Sequence, residues 1–158
     1  MIPGDILKFR DYTIQVSPLV YETVSLFTHN ASVHVEHPLV PVIPVVILSA
    51  SSSIVGVCDD LILDGSGSSG SGGRDMQYNF SVAFVRGPST STTQLNDTMA
   101  FLADTNALHD GLGYYRTMIP SRLLPRGVVL DFRLSVTNFL EIKNEVVFIL
   151  TTRIALAY

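Results

Sequence analysis

Hydrophobic positions recur with a period of two over much of the chain. Within 76–84 the even positions carry Met76, Tyr78, Phe80, Val82 and Phe84, while the odd ones begin Gln77, Asn79, Ser81. Within 128–137 Val128, Leu130, Phe132, Leu134 and Val136 alternate with polar Asp131, Arg133, Ser135 and Thr137. One apolar and one wet face predict antiparallel strands lying on a core. Shorter segments follow the same rule: Tyr12, Ile14 and Val16 around Thr13 and Gln15; Val33 and Val35 around His34 before Glu36; Leu61 and Leu63 around Ile62. The run Val146-Val147-Phe148-Ile149-Leu150 is apolar on both faces. It is expected to be covered twice, by its own core and by a neighbouring domain or chain. Residues 94–109 break the pattern. Leu95, Met99 and Leu102 are spaced like one helix face but Leu108 falls off it, which predicts a loop with a short helix.

An internal repeat sets the expected domain organisation. Gly4-Asp5-Ile6-Leu7-Lys8-Phe9-Arg10 recurs as Gly127-Val128-Val129-Leu130-Asp131-Phe132-Arg133, at an offset of 123 and with Gly, Leu, Phe and Arg in common. Pro3 and Pro125 precede the two copies. Residues 1–40 then read as the C-terminal strands of one β-sandwich repeat plus a linker, about three strands with no opposing sheet. Residues 41–158 read as nearly all of the next repeat, close to the ~100 residues of a sandwich domain. The first segment cannot bury its apolar face alone, so further sequence or another chain is expected to complete it.

Residues 38–57 are apolar enough to suggest a membrane span, but Pro38, Pro41 and Pro44 would break such a helix and Ser49–Ser53 is polar. A proline-stiffened linker running into a buried strand is expected instead. Met1-Ile2-Pro3-Gly4-Asp5 lacks the basic start and apolar core of a signal peptide. The repeat favours reading the chain as an excerpt, in which case that absence carries no meaning.

Hydrophobic residues make up 47% of the chain and charged residues only 15%, against a usual charged fraction of about 25%. The surface is therefore expected to rest on Ser, Thr, Asn and aliphatic groups, which suits attached sugars or closely packed protein neighbours. A net charge of −4 without any basic run excludes nucleic-acid binding and a membrane-surface helix.

The stretch Asp64-Gly65-Ser66-Gly67-Ser68-Ser69-Gly70-Ser71-Gly72-Gly73-Arg74 contains Gly-x-Gly-x-x-Gly after a strand. A dinucleotide site needs a helix next, to aim its N-terminal N–H groups at a diphosphate. A strand pattern follows instead, so the stretch reads as a flexible strand connection. Asp59, Asp60 and Asp64 are a weaker candidate for calcium, since two of them flank the strand rather than converge.

Cys58-Asp59-Asp60-Leu61-Ile62-Leu63-Asp64-Gly65-Ser66-Gly67-Ser68, the glycines up to Arg74, and Tyr78-Asn79-Phe80 resemble the receptor-for-egg-jelly (REJ) modules. These are related to the polycystic-kidney-disease (PKD) domains of polycystin-like and protist or algal flagellar surface proteins. Leu134-Ser135-Val136-Thr137-Asn138-Phe139-Leu140 is similar to that family's penultimate strand and turn. Two positions depart from the family: Phe80 stands where Trp is usual, and Glu141 where a turn glycine is common. The resemblance covers about residues 43–150. It implies an all-β, immunoglobulin-like antiparallel β-sandwich in tandem repeats, within a large ectodomain at the cell surface. It also implies adhesive or scaffolding work beside neighbouring repeats or other copies in a filament, and a polycystin-like membrane partner.

Three Asn-x-Ser/Thr sequons stand at Asn30, Asn79 and Asn96, where about one is expected by chance. Asn79 falls on the polar face of its strand and Asn96 in the expected loop. Cys58 is the single cysteine. It reads either as half of a disulfide to a segment or chain outside this sequence, or as a buried free thiol. His29, His34 and His37 lie near Glu36, but His34 and His37 point to opposite faces of a strand, so they read as surface histidines rather than zinc ligands. His109 is the sole candidate base for Cys58, and nothing ties the two together. No catalytic, cofactor-binding or metal site and no small-molecule substrate is expected. Two readings remain: a structural or adhesive extracellular glycoprotein module that builds a rod or filament, and a module that recognises carbohydrate or protein through loops 64–74 and 86–125, with Tyr114 and Tyr115 as its aromatics.

Overall fold

The computed structural model of the chain describes residues 4–9, 15–16, 26–27, 31–87, 92–108 and 113–153. Two compact units result, Met1–Pro41 and Val42–Tyr158.

In the first unit β1 (Ile6–Phe9) pairs antiparallel with β4 (Ala31–His34), and β2 (Gln15–Val16) with β3 (Leu26–Phe27). Tyr12 and Ile14 lie outside the described residues. Gly4 adopts φ 94°, a conformation open to glycine and costly for other residues. Its N–H donates to the Val35 carbonyl at 2.9 Å, and the Val35 N–H donates to the Asp5 carbonyl at 2.9 Å. Ile6 and Val33 are half-exposed.

The second unit consists mostly of strands in two sheets over one core. The larger sheet has the order β6-β11-β10-β8, from β6 (Ile54–Val55), β8 (Gln77–Arg86), β10 (Val129–Thr137) and β11 (Lys143–Thr152). The smaller has the order β5-β7-β9, from β5 (Ser49–Ala50), β7 (Leu61–Asp64) and β9 (Arg116–Ile119). All pairings are antiparallel except that of β6 with β11. The alternation in the sequence maps directly onto burial. Leu130, Phe132, Leu134 and Val136 on β10 are fully buried against Leu61, Leu63 and Ile119 of the other sheet, with Phe80 and Val82 of β8 beside them. Truncating one of these large side chains costs about 3–5 kcal/mol, because the packed surroundings collapse only partly into the cavity.

The apolar stretch at 38–57 differs from the single buried strand expected there. Leu39 and Val40 are fully exposed, and the chain then contributes two-residue strands to different sheets: β5 to the smaller one and β6, after the Ser51–Ser53 bend, to the larger. The outer side of β11 is likewise open. Val147 and Ile149 are 44% and 63% exposed, and β6 pairs only with Thr151 and Thr152. Along Asn144–Leu150 the strand therefore has one hydrogen-bonded neighbour among the described residues.

The largest departure from expectation is α1 (Thr92–Leu108), a helix of 17 residues where a loop with a short helix was expected. Its buried stripe runs through Leu95, Thr98 and Leu102 to Asn106, with Thr98 and Leu102 almost wholly enclosed. Met99, assigned by spacing to the buried face, is 48% exposed. The stripe escaped a hydrophobicity reading because polar residues fill half of it. Thr98 is enclosed because its hydroxyl lies 2.6 Å from the Leu123 carbonyl, in the short 3-10 turn Ser121–Leu123.

The turn from β10 to β11 holds Glu141 at φ 61°, the one non-glycine residue with positive φ among those described. A side chain in this conformation costs roughly 1–2 kcal/mol relative to glycine. Glu141→Gly is expected to raise the unfolding free energy by about 1 kcal/mol, measured by urea denaturation of the two chains.

Candidate functional site

The polar side chains of the second unit divide into those the fold consumes and those it leaves available. Asn138 is 5% exposed and uses its whole carboxamide. Its Oδ1 accepts from the Leu140 and Ile142 N–H groups at 3.0 and 3.2 Å, and its Nδ2 donates to the Val42 and Gly70 carbonyls at 2.8 and 3.4 Å. Asn144 donates to the Pro44 carbonyl at 2.8 Å. Asn106 acts as a substitute strand on the outer edge of β8. Its Oδ1 accepts from the Phe80 N–H at 3.0 Å and its Nδ2 donates to the Phe80 carbonyl at 2.8 Å. A bare sheet edge invites foreign strands, and here a helix side chain closes it.

The sequon asparagines behave differently. Asn79 projects from the outer face of β8 opposite Ser135, and Asn96 from the exposed face of α1 rather than from a loop. Both are exposed, and no hydrogen bond among the described residues engages either carboxamide. Of the five described asparagines, the three outside sequons are each built into the fold and the two inside sequons are free. Asn30 lies outside the described residues.

A groove of about 530 Å³ runs between β8 and α1. Asn79 and Ser81 form one lip, Met99, Ala103 and Ala107 the other, and Asn106 lies in its floor. On the far side of Asn79 a recess of about 310 Å³ is lined by Gln77, Ser135, Thr137 and Lys143.

The Gly/Ser stretch is not a loose tether. Asp64 Oδ1 accepts the Ser66 N–H at 2.8 Å, the Gly65 N–H donates to the Tyr115 carbonyl at 2.7 Å, and Val45 and Ser69 exchange a pair of backbone bonds at 2.9 Å. Gly70 and Gly72 have positive φ, and a Cβ on Gly72 would lie 2.6 Å from the Phe139 ring. The Arg74 guanidinium lies 4.9 Å from the centre of that ring. After the stretch comes β8, not the helix a diphosphate site requires.

The candidate chemical groups do not converge. Asp59 accepts the Gly56 N–H and Asp60 the Ser121 N–H, so with Asp64 each carboxylate serves a different backbone group. Among the described residues no three His, Cys, Asp or Glu side chains are grouped to hold a metal ion. Cys58 is exposed in the turn before β7, which overturns the buried-thiol alternative. A thiol avoids burial there because the turn carries it away from the core-facing Leu61 and Leu63. His34 and His37 are exposed, and His29 and His109 lie outside the described residues. Tyr115, 46% exposed, packs edge-on against half-buried Tyr78, with ring centres 6.2 Å apart. Tyr114 borders a shallow groove of about 310 Å³ with Ile62, Thr117 and Met118 on the outer face of the smaller sheet. No described helix is long and apolar enough to cross a membrane.

No family model, curated protein or solved structure matches the chain.

Two outcomes follow from the polar architecture. Asn106→Leu removes both bonds to Phe80 and leaves its backbone groups unsatisfied, so the unfolding free energy should fall by about 1–3 kcal/mol, read by chemical denaturation. The Asp64 carboxyl is held below its ordinary value, first by the Ser66 backbone N–H and then by the Ser66 hydroxyl, against an opposing effect of burial, with Arg116 adding the least. A depressed carboxyl pKa contributes stability at neutral pH that is lost as pH falls through the folded-state value. Asp64→Ala should therefore be the less stable chain at pH 7, by under about 1 kcal/mol for so solvent-screened a group. Thermal melts should show the gap closing below the ordinary aspartate range.

Proposed function

We propose that the chain is a non-enzymatic, extracellular structural or adhesive module of a tandem β-sandwich surface glycoprotein, of the REJ/PKD-like kind. It would work by stacking and lateral contact within a rod or filament. The observation that carries this reading is a matched pair of antiparallel pairings. At the offset of 123, Gly4 corresponds to Gly127, and both have positive φ, 94° and 67°. Asp5 corresponds to Val128, and each offers its carbonyl across its pairing, to the Val35 N–H and the Thr152 N–H, both at 2.9 Å. β1 corresponds to the start of β10, and each has an antiparallel partner later in the chain, β4 across the intervening β2–β3 pair and β11 directly after β10. The sequence repeat is thus echoed in conformation and hydrogen bonding, as expected of two copies of one structural unit.

Three further features support the reading. The orders β5-β7-β9 and β8-β10-β11 parallel the A-B-E and C-F-G strands of immunoglobulin-like sandwiches, with α1 lying in sequence where strand D would stand. Glu141 occupies a left-handed turn position, where the family pattern has glycine. The outward Val147 and Ile149, with Ile6 and Val33 of the first unit, supply apolar surface for neighbouring copies. Ligand recognition by the groove beside Tyr114 is the second reading, favoured only by the exposed Met118 and half-buried Ile62 there.

The test is the full chain secreted from eukaryotic cells. Sedimentation and electron microscopy should show concentration-dependent association into elongated assemblies, with carbohydrate at the sequons by peptide mapping. A compact monomer at every concentration, with the β1–β4 amides as slow to exchange as those of β10–β11, would remove the structural reading. Binding on a carbohydrate or peptide array by that monomer would favour the second.

A further inference from the structure

We infer that Asn79 carries an N-linked glycan whose first N-acetylglucosamine seats in the groove between β8 and α1, making the sugar part of the packed surface. This rests on the extracellular reading above and adds to it a site and a bound geometry.

The argument starts at the attachment atom. Alternation along β8 turns Asn79 and Ser81 outward and Phe80, 2% exposed, into the core. The Asn79 carboxamide is unused by the fold, unlike those of Asn106, Asn138 and Asn144. In the transfer, Asn79 Nδ2 attacks the anomeric carbon of a lipid-diphosphate-linked oligosaccharide. The new C–N bond forms as the bond from carbon to diphosphate oxygen breaks. The lipid diphosphate leaves with that electron pair, and Nδ2 gives up one proton.

The groove fits the product. Its volume of about 530 Å³ lies within the ~300–1,000 Å³ of small-molecule sites, and Asn79 stands on its lip, so no reach is needed. Met99, Ala103 and Ala107 follow one another at four-residue intervals and face the groove as apolar wall, with Met99 48% exposed. Such a wall matches the C–H face of a pyranose. The Ser81 hydroxyl on the near lip and the second N–H of Asn106 Nδ2 in the floor offer polar partners to its acetamido group. Seating the sugar also shields the Asn106–Phe80 bonds that close the edge of β8. Asn96, on the exposed face of the same helix, does not line this groove, and so supplies an internal control.

The experiment uses the full chain secreted from eukaryotic cells. Peptide mapping is expected to find Asn79 occupied. Under native conditions peptide-N-glycosidase should then release the Asn79 glycan several-fold more slowly than the Asn96 glycan. Ala103→Arg changes an exposed residue and fills the groove, and should remove that difference. After trimming to one N-acetylglucosamine, NMR should show cross-relaxation between sugar protons and the Met99 and Ala103 methyl groups. An unoccupied Asn79 overturns the inference and takes glycosylation at that position with it. An occupied Asn79 released as fast as in Ala103→Arg, without sugar-to-methyl contacts, overturns the seating alone and leaves the extracellular reading standing.

Discussion

The inward row of β10, from Leu130 to Val136, is the burial on which the second unit depends. These side chains are fully enclosed, and they belong to the one strand that has full-length neighbours on both sides, β8 and β11. Every other element can be described by how it covers that row. The smaller sheet supplies the opposite wall through Leu61, Leu63 and Ile119, and α1 seals the side with Leu102. Because the hydrophobic gain is nondirectional, the row alone does not choose one arrangement of loops around it.

Polar side chains make that choice. Asn138 ties the β10–β11 turn to the segment at Val42 and to the Gly/Ser stretch at Gly70, Asn144 fixes Pro44, and Asn106 ends the larger sheet at β8. Each is a neutral carboxamide reaching backbone groups, so none carries the desolvation cost of a buried ion. The ion pair of Arg133 with Glu145 at 3.5 Å is half-exposed and contributes little by comparison. A chain with so few charges has placed its specificity in amides and hydroxyls.

This division explains how much could be read from the sequence. The strands at 76–84 and 128–137 were legible because their side chains alternate and burial follows alternation. The helix was not, since Thr98 and Asn106 sit in its buried stripe and carry no hydrophobic signal. The Gly/Ser stretch looked loose because much of its order comes from Tyr115 and Val45, whose contacts with it are long-range in the sequence. The sequons at Asn79 and Asn96 were legible as motifs. That their carboxamides are the ones the fold leaves unused, and that a groove opens beside Asn79, became visible only once the strand and helix were placed side by side.

The hydrogen bond from Gly65 to Tyr115 bears on how the molecule ages. An aspartate followed by glycine rearranges when the glycine nitrogen attacks the aspartate side chain, closing a five-membered imide that reopens to an isomerised backbone. Here that nitrogen is committed to a carbonyl 2.7 Å away, Gly65 is buried, and the Asp64 carboxylate is held by Ser66. The native loop therefore withholds both reactants, and the chemical clock at this dipeptide runs only while the strand it terminates is open.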